Sequence, residues 1–243
     1  MKCLVFARRT RKEILRDPLT LIFGIGFPVI LILLISFIKM SIKDMPNELF
    51  SINSFTPGME VFGISFISLF LGMLVSSDRN SSFLIRVFAS PLKSRDYIVG
   101  YSIWLIPIAM LQATVCIITA LLLGLDFNIN ILFSIIFIIP VAVLFISIGL
   151  LLGIVFTYKQ VGGIASVIVN VCAWFSGIWF DLDLIGGAFK EICYMLPFSH
   201  AVDIIKEAFN GNYSLIFEHI IWVMCYSIIF FAISVFLFKN KMR

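Results

Sequence analysis

Few side chains in this sequence belong to the types that perform chemistry, and they are widely scattered. The chain carries two histidines, His200 and His219, and five cysteines, none of them in a C-x-x-C pair. This spacing predicts neither a disulfide framework nor a zinc site. His200 shares the polar side of a predicted helix with Asp203 and Glu207, a set that could hold a metal ion. A solvated helix face is the favoured interpretation, so we expect no metal site and no catalytic centre.

Two polar residues inside long apolar segments are the candidates for a translocation path. Glu60 is ionisable, and an ionisable residue within a membrane span is a functional candidate by default. Thr56-Pro57-Gly58 indicates that it sits only about one helical turn inside the outer membrane surface, so simple placement at that surface is an equal alternative. Gln112 lies near the middle of another segment, where hydrogen bonding between helices is the stronger interpretation.

Composition defines the surroundings of these residues. Hydrophobic residues make up 61% of the chain, charged residues 13%, and the mean hydropathy is +1.09. Soluble domains carry a charged fraction of about 25%. The chain is therefore predicted to be an all-α integral membrane protein, a single transmembrane domain over residues 1–243 surrounded by lipid, with no nucleic-acid partner.

Six uncharged or nearly uncharged segments are long enough to cross a bilayer as helices. Their continuously apolar character favours helices over barrel strands. The first is too long for the apolar region of a signal peptide, so we expect the N-terminus to stay attached. The predicted spans cover residues 19–38, 57–77, 98–123, 129–158, 161–180 and 215–238.

The basic residues indicate how these spans are oriented. Fourteen of the eighteen lysines and arginines fall on one side of a six-span arrangement. They lie in the N-terminal segment, the loop between the second and third spans, the turn at Lys159 and the C-terminus. Because basic residues concentrate on the cytoplasmic side, both termini are predicted to be cytoplasmic. Residue usage favours a bacterial cell membrane.

Three segments are predicted to be helical without crossing the membrane. Residues 1–16 mix arginines with apolar residues, as in a helix lying flat at the inner surface, although a plain topology anchor is equally consistent. Residues 181–214 are predicted to lie outside. There, Gly186-Gly187 could dip towards the membrane, and an amphipathic helix capped by Ser199 would end at Asn210-Gly211.

The third segment, residues 81–90, follows the second span on the cytoplasmic side. A short helix ending before Pro91 would display four apolar side chains beside two arginines. An exposed apolar face ringed by charge is typical of a docking surface, and an interfacial helix buried in lipid headgroups is the alternative. The residues concerned are Arg79, Phe83, Leu84, Arg86, Val87 and Phe88.

Helix-modifying residues occur inside several spans. Pro28, Pro107 and Pro140 are each expected to kink a helix. Gly149-x-x-x-Gly153 predicts a close helix–helix contact, either within the chain or at a dimer seam.

This layout resembles the permease subunits of type-two ATP-binding-cassette (ABC) exporters. Residues 89–100, Ala-Ser-Pro-Leu-Lys-Ser-Arg-Asp-Tyr-Ile-Val-Gly, look like that family's "T-P-basic/Ser-Arg-x-x-Y-x-x-G" region. Residues 196–203, Leu-Pro-Phe-Ser-His-Ala-Val-Asp, look like its "L-P-x-x-x-A-x-D" stretch before the sixth span. The family's "E-x-G-T" lead into a coupling helix is replaced here by Asp-Arg-Asn-Ser-Ser at residues 78–82.

The resemblance implies an ATP-driven exporter with two permeases, identical or paralogous, and two cytoplasmic ATPase subunits. Residues 81–90 would be the coupling helix, with Arg79 and Arg86 facing acids of the ATPase. No G-x-x-x-x-G-K-[ST] motif occurs in the chain, so ATP is expected on the partner subunit and no cofactor here. The alternatives are a six-span secondary carrier or channel, or a membrane-embedded enzyme, and the cargo stays open.

Overall fold

The computed structural model describes residues 2–41, 51–81 and 94–241. Within these ranges the chain is built from helices and their connections, and no strand occurs, which confirms the all-α fold class. In chain order the elements are α1 (Lys2–Arg16), α2 (Pro18–Leu21), a π-helical segment (Ile22–Gly26), α3 (Phe27–Ser41), α4 (Ile52–Asn80), α5 (Ser94–Ser102), α6 (Leu105–Leu122), α7 (Ile129–Val155), α8 (Tyr158–Phe175), α9 (Leu182–Ile185), α10 (Gly187–Met195), α11 (Pro197–Asn210) and α12 (Tyr213–Lys241).

Within the described ranges, five helical stretches are long and apolar enough to cross a membrane. They coincide with the first, second, third, fourth and sixth predicted spans: Ile22–Ser41, Ile52–Asn80, Ile98–Leu122, Ile129–Val155 and Tyr213–Lys239. The predicted fifth span, residues 161–180, is not among them. Its helix, α8, has 18 residues and includes Lys159, Gln160 and Asn170, and the chain turns at Gly177, where φ is +74°.

The second span begins earlier than the sequence predicted. Ser51 caps α4, and its Oγ accepts a hydrogen bond from the Ser54 N–H at 3.3 Å. Because Ile52 is the first residue of the helix, Glu60 lies about 12 Å along its axis. The depth of Glu60 below the membrane surface stays a prediction.

Proline explains two irregularities in the membrane helices. The π-helical segment ends directly before Phe27 and Pro28. The ring of Pro28 would clash with the carbonyl of Gly24 in a regular α-helix, and a wider turn relieves this clash. In the third span, Pro107 follows the break between α5 and α6 at residues 103–104. Pro140, by contrast, lies inside a continuous α7.

Helices α4 and α7 approach each other closely along a stripe of glycines. A Cβ added at Gly149 would lie 2.7 Å from the backbone oxygen of Ser68, and one added at Gly153 would lie 2.6 Å from Cβ of Val75. No side chain fits at either position without displacing α4. The Gly149-x-x-x-Gly153 pattern thus mediates packing within the chain, which confirms that interpretation over a dimer seam.

Three helices, α9, α10 and α11, fill the segment that precedes α12. The predicted end of the amphipathic helix is confirmed, because Gly211 follows α11 in the left-handed conformation with φ +77°. The predicted cap is wrong. The helix begins at Pro197, and Ser199 lies inside it, donating a hydrogen bond to the Cys193 carbonyl at 2.7 Å.

Candidate functional site

The predicted coupling residues fall at the boundary of the described chain. Arg79 lies in the last turn of α4. The other five, Phe83, Leu84, Arg86, Val87 and Phe88, belong to residues 82–93 and lie outside the described residues. Their role stays a prediction, so the site is built from the residues that border this segment.

Arg79 contacts the C-terminal end of α7. Its Nη1 donates to the backbone oxygens of Gly153 at 2.7 Å and Phe156 at 3.4 Å, and also to that of Ile154. These carbonyls lie at the end of a helix, where the macrodipole favours a cation. Arg79 therefore ties the end of α4 to the end of α7, a contact that the sequence analysis did not anticipate.

The preceding residue, Asp78, lies at the centre of a polar network with residues of α1 and α5. Arg9 of α1 donates to both carboxylate oxygens of Asp78, at 2.9 and 2.8 Å. Arg9 also pairs with Glu13 at 2.6 Å. The Tyr101 hydroxyl of α5 donates to Asp78 at 2.6 Å. We call Arg9, Glu13, Asp78 and Tyr101 the inner network, because it joins α1, α4 and α5 at one end of the bundle.

Burial strengthens the polar contacts of the inner network. Asp78 and Tyr101 are buried, and a bidentate arginine–carboxylate pair is among the stronger polar contacts. Burial raises the pKa of Glu13, and the charge of Arg9 opposes the shift. Burial alone would lower the pKa of Arg9, but the hydrogen bond to Asp78 and the negative charges of Asp78 and Glu13 together outweigh that effect, so the net pKa is raised.

A second contact holds α1 against the third span. The guanidinium carbon of Arg11 lies 4.7 Å from the centroid of the Trp104 ring, within the range of a cation–π interaction. The sequence analysis interpreted the arginines of residues 1–16 as a topology signal or as part of an interfacial helix, without partners for Arg9 or Arg11. Spacing alone gave no sign that these residues meet.

An apolar groove of about 450 Å³ opens beside the inner network. Its walls come from the π-helical segment, α4 and α8, with aromatic side chains at Phe23, Phe66 and Phe70. Its polar end is formed by Glu13, Asp17 and neighbouring hydroxyl groups. The volume and the apolar lining are typical of a small-molecule site.

The two residues predicted for the translocation path lie elsewhere. Glu60 is fully buried, and neither of its carboxylate oxygens has a hydrogen-bond partner among the described residues. Gln112 is also buried, and its amide nitrogen donates to Cys116 Sγ at 3.4 Å. A Cβ added at Gly63 would lie 2.4 Å from that amide, so Gln112 packs tightly against α4. Neither residue lines the 450 Å³ groove.

His200 lies in α11, and the polar residues of this helix are not placed to hold a metal ion. Among the described residues, no group of three or more His, Cys, Asp or Glu side chains is placed to hold a metal ion. His200 instead contacts His219, with 2.8 Å between their Nδ1 atoms. Its Nε2 lies 3.0 Å from the Tyr194 carbonyl oxygen.

Most of the chain matches a known protein family. Residues 1–210 match the family model described as "ABC-2 type transporter". No curated protein matches the chain. The matched range covers the inner network, the groove, Glu60 and Gln112.

Proposed function

The chain belongs to the ABC-2 type transporter family, and we propose that it is the permease of an ATP-driven exporter whose ATPase lies outside these 243 residues. The observation that carries this proposal is the arrangement around residues 82–93. That segment is bordered on one side by Asp78 and Arg79 and on the other by α5, which carries Tyr101.

In this arrangement, a movement imposed on residues 82–93 by a cytoplasmic partner would be transmitted to the membrane helices. A displacement of residues 82–93 acts on Asp78, which is bound to α1 and α5, and on Arg79, which is bound to the end of α7. Closure of two ATPase subunits on ATP would provide that displacement. In this proposal Phe83, Leu84, Val87 and Phe88 form the face that enters the ATPase, with Arg86 at its rim.

We propose six membrane crossings, with α8 as the fifth. Tyr158, at the start of α8, lies in the groove with Glu13, whereas Ser176, just after its end, shares a cavity with Asn53 at the far end of α4. Helix α8 thus runs the length of the bundle. An even number of crossings also brings the basic residues of α1 and the C-terminus to one side, as the distribution of basic residues requires.

The groove is the proposed cargo site of one permease. Its walls from the π-helical segment, α4 and α8 are aromatic and aliphatic, and its polar end lies at the inner network, so ATPase-driven movement of the network would change its shape. A second permease, identical or paralogous, would complete the pathway in a bacterial cell membrane, with both termini cytoplasmic.

The test is a pull-down of tagged chain from its native host in detergent, with bound ATPase identified by mass spectrometry. The variant Phe83→Asp/Phe88→Asp should lose at least about 90% of the ATPase, because two charges in an apolar contact remove its hydrophobic free energy. The matched control is Phe127→Asp, an exposed phenylalanine beyond the other end of the bundle.

Recovery of an ATPase with wild type and control but not with the double variant supports the proposal. Absence of any ATPase from the wild-type sample favours a carrier or channel. Equal recovery with all three proteins keeps the permease function and refutes docking through Phe83 and Phe88.

A further inference from the structure

A second cavity, of about 390 Å³, lies at the end of the bundle remote from the inner network. Its walls come from the start of α4, the turn after α8, and parts of α9, α10, α11 and α12. We call it the acidic cavity, because four carboxylates and a single lysine line it: Asp181, Asp183, Asp203, Glu207 and Lys206.

The negative charge of this cavity is only partly compensated by the protein. Asp183 pairs with Lys190 of α10. Asp181, Asp203 and Glu207 have no ion pair within 4 Å among the described residues. The two histidines are hydrogen-bonded to each other and to backbone rather than to a carboxylate in an arrangement that fits their geometry. His200 Nε2–H donates to the Tyr194 carbonyl, and His219 Nδ1–H donates to His200 Nδ1.

The polar contacts of the carboxylates hold them in place without neutralising them. Asp181 accepts from the Asp183 N–H at 2.8 Å, and Glu207 accepts from the Asn212 amide at 2.8 Å. Asp203 accepts from the Tyr194 hydroxyl. Every one of these donors is an uncharged group, so the cavity keeps a negative field.

An independent observation marks the cavity as a binding site. Ser176 lines it and is only 1% exposed. Its Oγ has no hydrogen-bond partner among the described residues. A buried hydroxyl without a partner costs free energy, and a ligand that donates a hydrogen bond inside the cavity would remove that cost.

We propose that the acidic cavity binds an organic cation carrying amine or guanidinium groups. The carboxylates are too dispersed to share one metal ion, since the described residues contain no cluster placed to hold one. A ligand with two positive ends offers a charged group to more than one of the carboxylates that line the cavity. The Tyr194 ring, already 5.8 Å from Lys190 Nζ, offers a face for a further cation–π contact.

The test measures agmatine binding to the purified chain in nanodiscs by isothermal titration calorimetry. Agmatine has an amine at one end and a guanidinium at the other. Succinate and 1,4-butanediol, which are anionic and uncharged molecules of similar length, serve as control probes. The protein variants are Asp203→Asn, Glu207→Gln and Ser176→Ala, with Glu191→Gln as the matched control. Glu191 is an exposed acid of α10 outside the cavity lining.

Saturable binding of agmatine alone is the expected result. Asp203→Asn and Glu207→Gln should each weaken it by about tenfold or more, Ser176→Ala by about threefold to tenfold, and Glu191→Gln should leave it unchanged. Because Asp203→Asn also alters the contact with Tyr194, Glu207→Gln provides a second test on a different contact.

No saturable binding at millimolar agmatine would overturn the proposal. So would equal weakening by Glu191→Gln and the cavity variants, since that result would show general attraction of a cation to an acidic surface. The assay needs no ATPase, so its outcome is separate from that of the pull-down.

Discussion

Removal of Arg9 should destabilise the protein more than removal of its partner Asp78. In Arg9→Met the carboxylate of Asp78, whose side chain is 7% exposed, loses its cation and keeps the hydroxyl of Tyr101. An orphaned buried charge costs about 3–5 kcal/mol. Because the Arg9 side chain is 30% exposed and water can enter, we expect the lower end, about 3 kcal/mol.

The reverse substitution leaves no orphaned charge. In Asp78→Asn, Arg9 still pairs with Glu13 and remains partly in water. The loss is then that of charge-assisted hydrogen bonds, about 1–2 kcal/mol. Combining the two changes removes both charges, so the double variant should unfold at a higher denaturant concentration than Arg9→Met alone. The expected coupling free energy is about 2 kcal/mol.

The assay is a denaturant titration in detergent micelles, comparing wild type, both single variants and the double variant. Arg8→Met is the control, because Arg8 is exposed on the same helix and should change the free energy of unfolding by less than about 0.5 kcal/mol. Strict additivity of the two single changes would refute the reasoning. A greater loss in Asp78→Asn than in Arg9→Met would refute it as well.

Three further predictions test other parts of the structure. Gly153→Ala should lower the free energy of unfolding by about 1–3 kcal/mol, because the added Cβ would lie 2.6 Å from Val75 Cβ. Gly163→Ala should not lower it, because the space around Gly163 is open. Equal thermal stability of the two variants would contradict the packing argument. Glu60→Gln should leave thermal stability unchanged or raised, because it removes a buried carboxylate without a described partner. Loss of transport in reconstituted vesicles by this variant at full stability would place Glu60 in the cargo path, and normal transport would exclude it from the path. Agmatine binding should weaken as the pH falls, since protonation removes the carboxylate charge. Because burial raises the pKa of Asp203, the loss of affinity should begin at a pH above the usual pKa of an aspartate. Calorimetry at several pH values measures this, and a constant affinity down to about pH 4 would contradict it.

The fold was predictable wherever one physical constraint dominated. Long uncharged segments must become helices in a bilayer because backbone groups there need internal partners. This reasoning located the five stretches of the described chain that are long and apolar enough to cross a membrane. It was weaker for α8, whose Lys159, Gln160 and Asn170 dilute the apolar signal, and for the start of α4, because hydropathy does not mark the cap at Ser51.

The inner network could not be predicted from the sequence, because it forms only where three distant segments of the chain meet. Arg9 and Asp78 are 69 positions apart, and nothing in their local sequence pairs them. The available signal was Asp78 itself, an acid at the end of an apolar segment on the side where basic residues concentrate. A buried acid at that position requires a cation from elsewhere, and α1 is rich in arginines.

Under the proposed function, the adjacent residues Asp78 and Arg79 would connect residues 82–93 to three further helices. Asp78 is bound to α1 and α5, and Arg79 to the end of α7. Helix α7 is in turn fixed to α4 by the glycine contacts at Gly149 and Gly153, so the two helices cannot slide without breaking close packing. In the proposed mechanism, a displacement of residues 82–93 would act on α1 through the contact between Asp78 and Arg9. The π-helical segment that follows α1 and α2 forms a wall of the groove, so the same displacement would change the shape of the proposed cargo site.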